Sequence, residues 1–138
     1  MLTARDVMTT NVITISSAMT VEEAIHILLL NGISGAPVVD ESGKVVGIIS
    51  EFQLLVVVYN SDAKEESVAD FMTKGVVSVG EEAPLTEVAN KMVVHRIRRL
   101  PVVDRGNLVG LISRPDLLRY AIDAAVPLRP ELVLAESV

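Results

Sequence analysis

The 138-residue chain contains no cysteine, and that absence removes three chemistries at once. Disulfide support, thiolate catalysis and cysteine-ligated metal are all excluded. No stretch of about eighteen uncharged apolar residues occurs. The apolar run from Leu54 to Tyr59 is far too short to span a bilayer, so no membrane partner is expected. The opening Met1-Leu2-Thr3-Ala4-Arg5-Asp6 lacks a basic segment leading into a long apolar one. It reads as no secretory signal, and a cytoplasmic location is expected. There is no HExxH, no nucleophile elbow and no Walker phosphate loop, so no catalytic residue is assigned and the chain is not expected to be an enzyme. No convergent ligand set suggests a metal site. The two histidines, His26 and His95, read as surface or helix-end groups.

Basic charge is also in short supply. The net charge of -6 argues against a nucleic-acid partner. Its distribution is uneven: between Lys91 and Arg119 stand seven basic side chains and two acidic ones, a local excess of five. A basic island in an acidic chain suggests a small anionic ligand more than a long polyanion. Solvation, or pairing across a subunit contact, is the alternative for any one of these arginines.

What is present is a repeat. Ala36-Pro37-Val38-Val39-Asp40, a turn through Gly43, and Val45-Val46-Gly47-Ile48-Ile49-Ser50 return as Leu100-Pro101-Val102-Val103-Asp104, a turn through Gly106, and Leu108-Val109-Gly110-Leu111-Ile112-Ser113. Pro37 and Pro101 are 64 positions apart, as are Met8 and Met72, whereas Gly47 and Gly110 are 63 apart because the second turn is one residue shorter. Such self-similarity sets the architecture. Arg5 to Thr9 and Asp70 to Thr73 read as lead-in turns, with Met8 and Met72 as core plugs. Val12-Ile13-Thr14-Ile15 and Val76-Val77-Ser78-Val79 read as short extended pieces.

Thr20 and Glu23 have capping-box spacing and open a helix with a stripe of Val21, Ala24, Ile25, Leu28 and Leu29, closed by Asn31-Gly32. The second copy starts near Pro84 and carries Leu85, Val88, Ala89, Met92 and Val93. The continuously apolar strand pairs want cover on both faces. A second helix follows Ser50 to about Tyr59, and another follows Ser113 to about Ala125. Leu54, Leu55, Val57 and Val58 read as solvent-adjacent and suited to a dimer interface. Residues 1–62 form the first repeat, 63–126 the second, and 127–138 an irregular tail whose Leu132, Val133 and Leu134 point to a partner or a longer polypeptide. Neither half can bury its own sheet, so the expected fold is α+β: two pseudo-symmetric βαββα units packed through their sheets, with clefts at the seam.

These residues resemble a tandem cystathionine-β-synthase-type (CBS) domain pair, or Bateman module. The resemblance rests on the two Met-Thr heads, the two Pro-Val-Val-Asp strands, and the Gly47-Ile48-Ile49-Ser50 and Gly110-Leu111-Ile112-Ser113 segments, over residues 5 to 125. It implies a regulatory sensor that binds AMP, ADP, ATP or S-adenosylmethionine, AMP being the favoured ligand. It also implies assembly with itself into homodimers or higher oligomers, and control of an effector protein or attached domain. A dimerisation or interaction module that binds no nucleotide is the competing reading.

The family's Gly-x-x-Ser/Thr-x-x-Asp element, which holds the ribose hydroxyls, is intact at Gly110, Ser113 and Asp116. The first copy reads Gly47, Ser50 and Gln53; it lacks the carboxylate and the charge-assisted bonds a carboxylate accepts. Both triplets equally fit an ordinary capping box. The resemblance implies a principal cleft of Ser78, Ile97, Arg98, Arg99, Leu100, Pro101, Ser113, Arg114 and Asp116. A weaker one comprises Thr14, Ile33, Gly35, Ala36, Pro37, Ser50 and Gln53. Arg98, Arg99 and Arg114 are the phosphate candidates; the first copy has Ser34, Gly35 and Glu51 in their places.

Overall fold

The computed structural model describes residues 1–60 and 62–124, the last two as backbone only. The expected tail at 127–138, like the end of the last helix at Ala125, lies outside the described residues. The elements in chain order are α1 (Ala4–Val7), β1 (Ile15–Ser16), α2 (Val21–Asn31), β2 (Gly35–Val39), β3 (Val45–Ser50), α3 (Glu51–Asn60), a 3-10 turn (Val68–Asp70), α4 (Leu85–Val94), β4 (Arg99–Asp104), β5 (Asn107–Ser113) and α5 (Arg114–Ala124). The architecture is mixed α and β with two sheets, as the repeat predicted.

Compactness divides the chain differently from the repeat. One unit takes Ile13–Val76 with Gly106–Leu108, and is called here the Ser50 unit. The other, the Ser113 unit, takes Met1–Val12, Val77–Arg105 and the described residues from Val109 on. The head of each repeat therefore belongs with the hairpin of the other. Two glycines make this possible. A Cβ on Gly110 would stand 2.7 Å from Met8 Cγ, and one on Gly47 would stand 2.7 Å from Met72 Cγ and 3.0 Å from the Thr73 carbonyl oxygen. Without a Cβ, each strand lets a methionine lie against its backbone. Thr9 then pairs with Leu111, its amide 2.9 Å from the Leu111 oxygen, and Thr73 pairs with Ile48 at 2.8 Å.

In the Ser50 unit, β1 lies parallel to β2 (Ile15 opposite Val38) and β2 antiparallel to β3 (Ala36 opposite Ile49). A bulge between Val38 and Val39 adjoins the longer of the two turns. Asp40 organises that turn: its Oδ1 accepts from the Ser42 amide, the Ser42 hydroxyl and the Lys44 amide at 2.8–3.0 Å. The Ser42 hydroxyl chiefly, then the Lys44 amide, hold this carboxyl below its usual range. Gly43 takes φ +85°, the left-handed conformation the turn needs. The core gathers Ile15, Val21, Ala24, Leu28, Val38 and Ile49, all at most 1% exposed.

α2 begins as its spacing predicted. The Thr20 hydroxyl accepts from the Glu23 amide and Glu23 Oε1 from the Thr20 amide, both at 3.1 Å. Gly32, at φ +62°, closes it by donating to the Leu28 and Leu29 carbonyls. The stripe is only partly buried, however, since Leu29 is 66% exposed. The second helix also differs from expectation. Leu54 is 3% exposed and so is not solvent-adjacent, whereas Val57 and Val58 are half-buried against the core and Leu55 is exposed. α3 has turned its outer face to Phe52, Leu55, Val56 and Tyr59 instead. An unbroken apolar run has no period to show which side faces in; the packing against β3 and α2 selects it.

The Ser113 unit is built alike, around Leu85, Val88, Met92, Leu100, Val102 and Ile112. Its expected strand at 76–79 shrinks to a single parallel bridge, Val79 with Val102. Val79 donates to Pro101 (3.1 Å) and accepts from Val103 (2.8 Å).

Candidate functional site

At the start of α5, Ser113 and Asp116 close a capping box. The Ser113 amide and hydroxyl both donate to Asp116 Oδ2, at 2.9 and 2.8 Å, and the Asp116 amide donates to Ser113 Oγ at 3.4 Å. The other carboxylate oxygen, Oδ1, accepts from Arg119 Nη2 at 2.6 Å. Asp116 is largely covered (side chain 16% exposed) while Arg119 is 69% exposed. Oδ2 is taken by Ser113; Oδ1 accepts from an exposed guanidinium and keeps acceptor capacity. Arg119, part of the basic island, was not expected as a partner of Asp116, although its three-residue spacing from Asp116 is a local helical signal.

The other residues expected at this site belong to the same unit. The Arg114 amide donates to the Arg98 carbonyl at 3.2 Å and Arg114 Nε to the Ile97 carbonyl at 3.0 Å, which ties the head of α5 to the approach to β4. Ser78 precedes the Val79 bridge to β4, and its carbonyl accepts from Lys91 Nζ at 2.9 Å. Arg98 and Arg114 are exposed, Arg99 is half-buried, and the side chains of Leu100 and Pro101 are inside the core, leaving only backbone on offer there.

The equivalent place in the Ser50 unit has the same skeleton and different chemistry. The Glu51 amide donates to the Ser34 carbonyl at 2.9 Å, mirroring Arg114 and Arg98. The Ser50 amide and hydroxyl donate to Gln53 Oε1 at 2.9 and 3.1 Å. Gln53 Nε2 then donates to Thr73 Oγ1 at 2.7 Å and to the Phe71 carbonyl at 3.3 Å. All four hydrogen-bonding positions of the amide are filled. Gln53 is a clasp holding the Phe71–Thr73 head against α3, a role a carboxylate could not fill toward a carbonyl. No local spacing announces it, because the partners are 18 and 20 residues away. Of the remaining expected residues, Gly35 opens β2 opposite Ser50, Ala36 and Pro37 are buried, and Thr14 and Ile33 are half-buried at the ends of β1 and α2.

His26 is exposed, 3.9 Å from Glu22, and His95 ends α4. Among the described residues no three metal-ligating side chains converge, and no helix is long and apolar enough to cross a membrane.

The architecture so far is that of two matched α/β units, each with a capped serine at a strand-to-helix junction. The chain belongs to the CBS domain family, whose model matches residues 4–60 and again 68–123. Its fold is similar to that of CBSX2 from Arabidopsis thaliana, solved in complex with AMP (29% identity, TM-score 0.82, covering 91% of this chain and 99% of that one). It is similar also to the CBS domain pair of MJ0100, solved with 5'-methylthioadenosine and S-adenosyl-L-methionine (31% identity, TM-score 0.77, covering 88% and 97%). Among curated proteins, inosine-5'-monophosphate dehydrogenase of Methanocaldococcus jannaschii is 39% identical over 117 residues, 84% of this chain and 23% of the dehydrogenase. A second relative of that organism is covered over 41% of its length, so the chain spans less than half of either.

Proposed function

We propose that this chain is a regulatory module that senses an adenosine-containing ligand, AMP foremost, at the Ser113–Asp116 junction, with one ligand per chain. The observation that carries this is the contrast between two matched positions: an acidic side chain with an oxygen still able to accept, against an amide whose every position is filled. The ribose hydroxyls take Asp116 Oδ1 as Arg119 swings aside, and the exposed Arg98 and Arg114 attract phosphate. The AMP in CBSX2 and the adenosyl ligands of MJ0100 support the ligand class. The module works in the cytoplasm as a homodimer and passes its state to an effector protein or attached domain.

Calorimetric titration with AMP, ADP, ATP and S-adenosylmethionine tests this. The expected result is binding of AMP at one equivalent per chain. Two equivalents would overturn the closed Gln53 junction; no heat and no thermal shift with any of the four would overturn the sensor reading. The second reading, a pure interaction module, is favoured by one fact: the Asp116 box is already complete as a helix cap.

A further inference from the structure

The chain holds five methionines, and with no cysteine they are its only sulfur. Met1 is fully exposed, and Met92 is buried in the core of the Ser113 unit. Met8 and Met72 differ from both. Each is half-buried and lies with its thioether over a glycine, Met8 on Gly110 of β5 and Met72 on Gly47 of β3. A Cβ on either glycine would meet the methionine sulfur before any other atom. No further heavy atom fits between that sulfur and the strand. A soft apolar thioether suits such a place; a larger polar group does not.

The two heads are held unequally. Thr9 and Leu111 exchange backbone hydrogen bonds at 2.9 and 3.0 Å, and Thr73 and Ile48 do so at 2.8 and 3.0 Å. Gln53 adds two side-chain bonds to the second head, to Thr73 Oγ1 and to the Phe71 carbonyl. Asp116 stands in the matching place and can give neither, since a carboxylate only accepts. α1 is tied elsewhere: the Ala4 amide donates to the Ala83 carbonyl at 2.8 Å, and Arg5 Nη2 reaches Glu81 and Glu82, both at 2.8 Å. Past α1, Met8 and Thr9 meet β5 through the Thr9–Leu111 pair and the Met8 thioether.

We propose that Met8 is a site of reversible oxidation by a peroxide, and that its sulfoxide detaches Met8 and Thr9 from β5 while the Gln53-clasped head stays in place. The sulfur attacks one peroxide oxygen and the O–O bond breaks. The sulfur gives up two electrons and keeps that oxygen; the proton it carried leaves with the departing hydroxide as water. The product is larger and polar, and methionine sulfoxide reductases return it to the thioether. Leu111 stands two residues before Ser113, so oxidation acts on the strand that carries that junction.

The test treats the full chain with hydrogen peroxide, locates the added oxygen by peptide mass spectrometry and follows amide exchange by NMR. The Thr9 and Leu111 amides should exchange about tenfold faster or more after oxidation, and those of Thr73 and Ile48 should keep their rates. Reductase treatment should restore the slow rates. Met8→Leu, a swap of similar volume without sulfur, should keep the Leu111 amide protected before and after peroxide. Met8 left intact while Met1 and Met19 react would overturn the proposal, and so would a Met8 sulfoxide with unchanged exchange. Equal loosening of both heads would remove the role given to Gln53, and loosening in Met8→Leu would move the site to another methionine. The reductase arm needs no variant and decides the matter even where Met8→Leu folds poorly. Exchange at Thr9 and Leu111 is read without nucleotide, so this proposal and the proposed function fail separately.

Discussion

Asp116 and Gln53 occupy matched positions after matched serines, and both cap a helix through one side-chain oxygen. What separates them is the second polar atom. In Gln53 it is an amide nitrogen that must donate, and two acceptors on the Phe71–Thr73 head satisfy it. In Asp116 it is an oxygen that can only accept, held by an exposed arginine. Asp116→Asn keeps an oxygen for Ser113 and removes the charge. It should leave the unfolding midpoint nearly unchanged and weaken AMP by a factor of about ten to one hundred and fifty, equivalent to the 1.5–3 kcal/mol of hydrogen bonds to a charged group. Parallel denaturation and titration curves of the variant check it. Equal affinity with a lowered midpoint would show that the carboxylate serves the helix alone.

At the scale of elements, the strands are defined by what they let approach. β5 admits Met8 at Gly110 and β3 admits Met72 at Gly47, and both methionines pack on the edge of a core. Gly110→Ala would place a methyl 3.0 Å from Met8 Cβ, close to the main chain of the head and therefore hard to relieve by a rotamer change. Overpacking of this kind costs about 1–3 kcal/mol. Urea denaturation should show that loss, and Met8→Ala in the same chain should recover part of it. An unchanged midpoint would mean that the head does not bear on β5. The heads were legible in the sequence as repeated Met-Thr pairs; that each would sit on the other repeat's hairpin was not. Likewise the glycines were visible as part of a motif, but only the packed methionine explains why no larger residue serves.

For the whole molecule, a ligand that binds only the folded state raises stability in proportion to the logarithm of its concentration over its dissociation constant. Saturation at one hundred times that constant is worth about 2.7 kcal/mol. AMP should therefore raise the melting temperature of the intact chain by several degrees, and the shift should shrink in Asp116→Asn. A full shift in that variant would place the ligand away from Ser113.

The two strand hairpins with the helices on either side of them, the family, the capped helix starts and the two serine junctions were determined by the sequence alone. Each depends on local spacing and on a repeat that compares the chain with itself. Tertiary structure decided the rest: which face of the uniformly apolar α3 is buried, which hairpin receives each head, and that Gln53 is tied down whereas Asp116 is held by a surface side chain. Those outcomes depend on groups brought together from distant positions, and periodicity carries no information about a neighbour that only folding supplies.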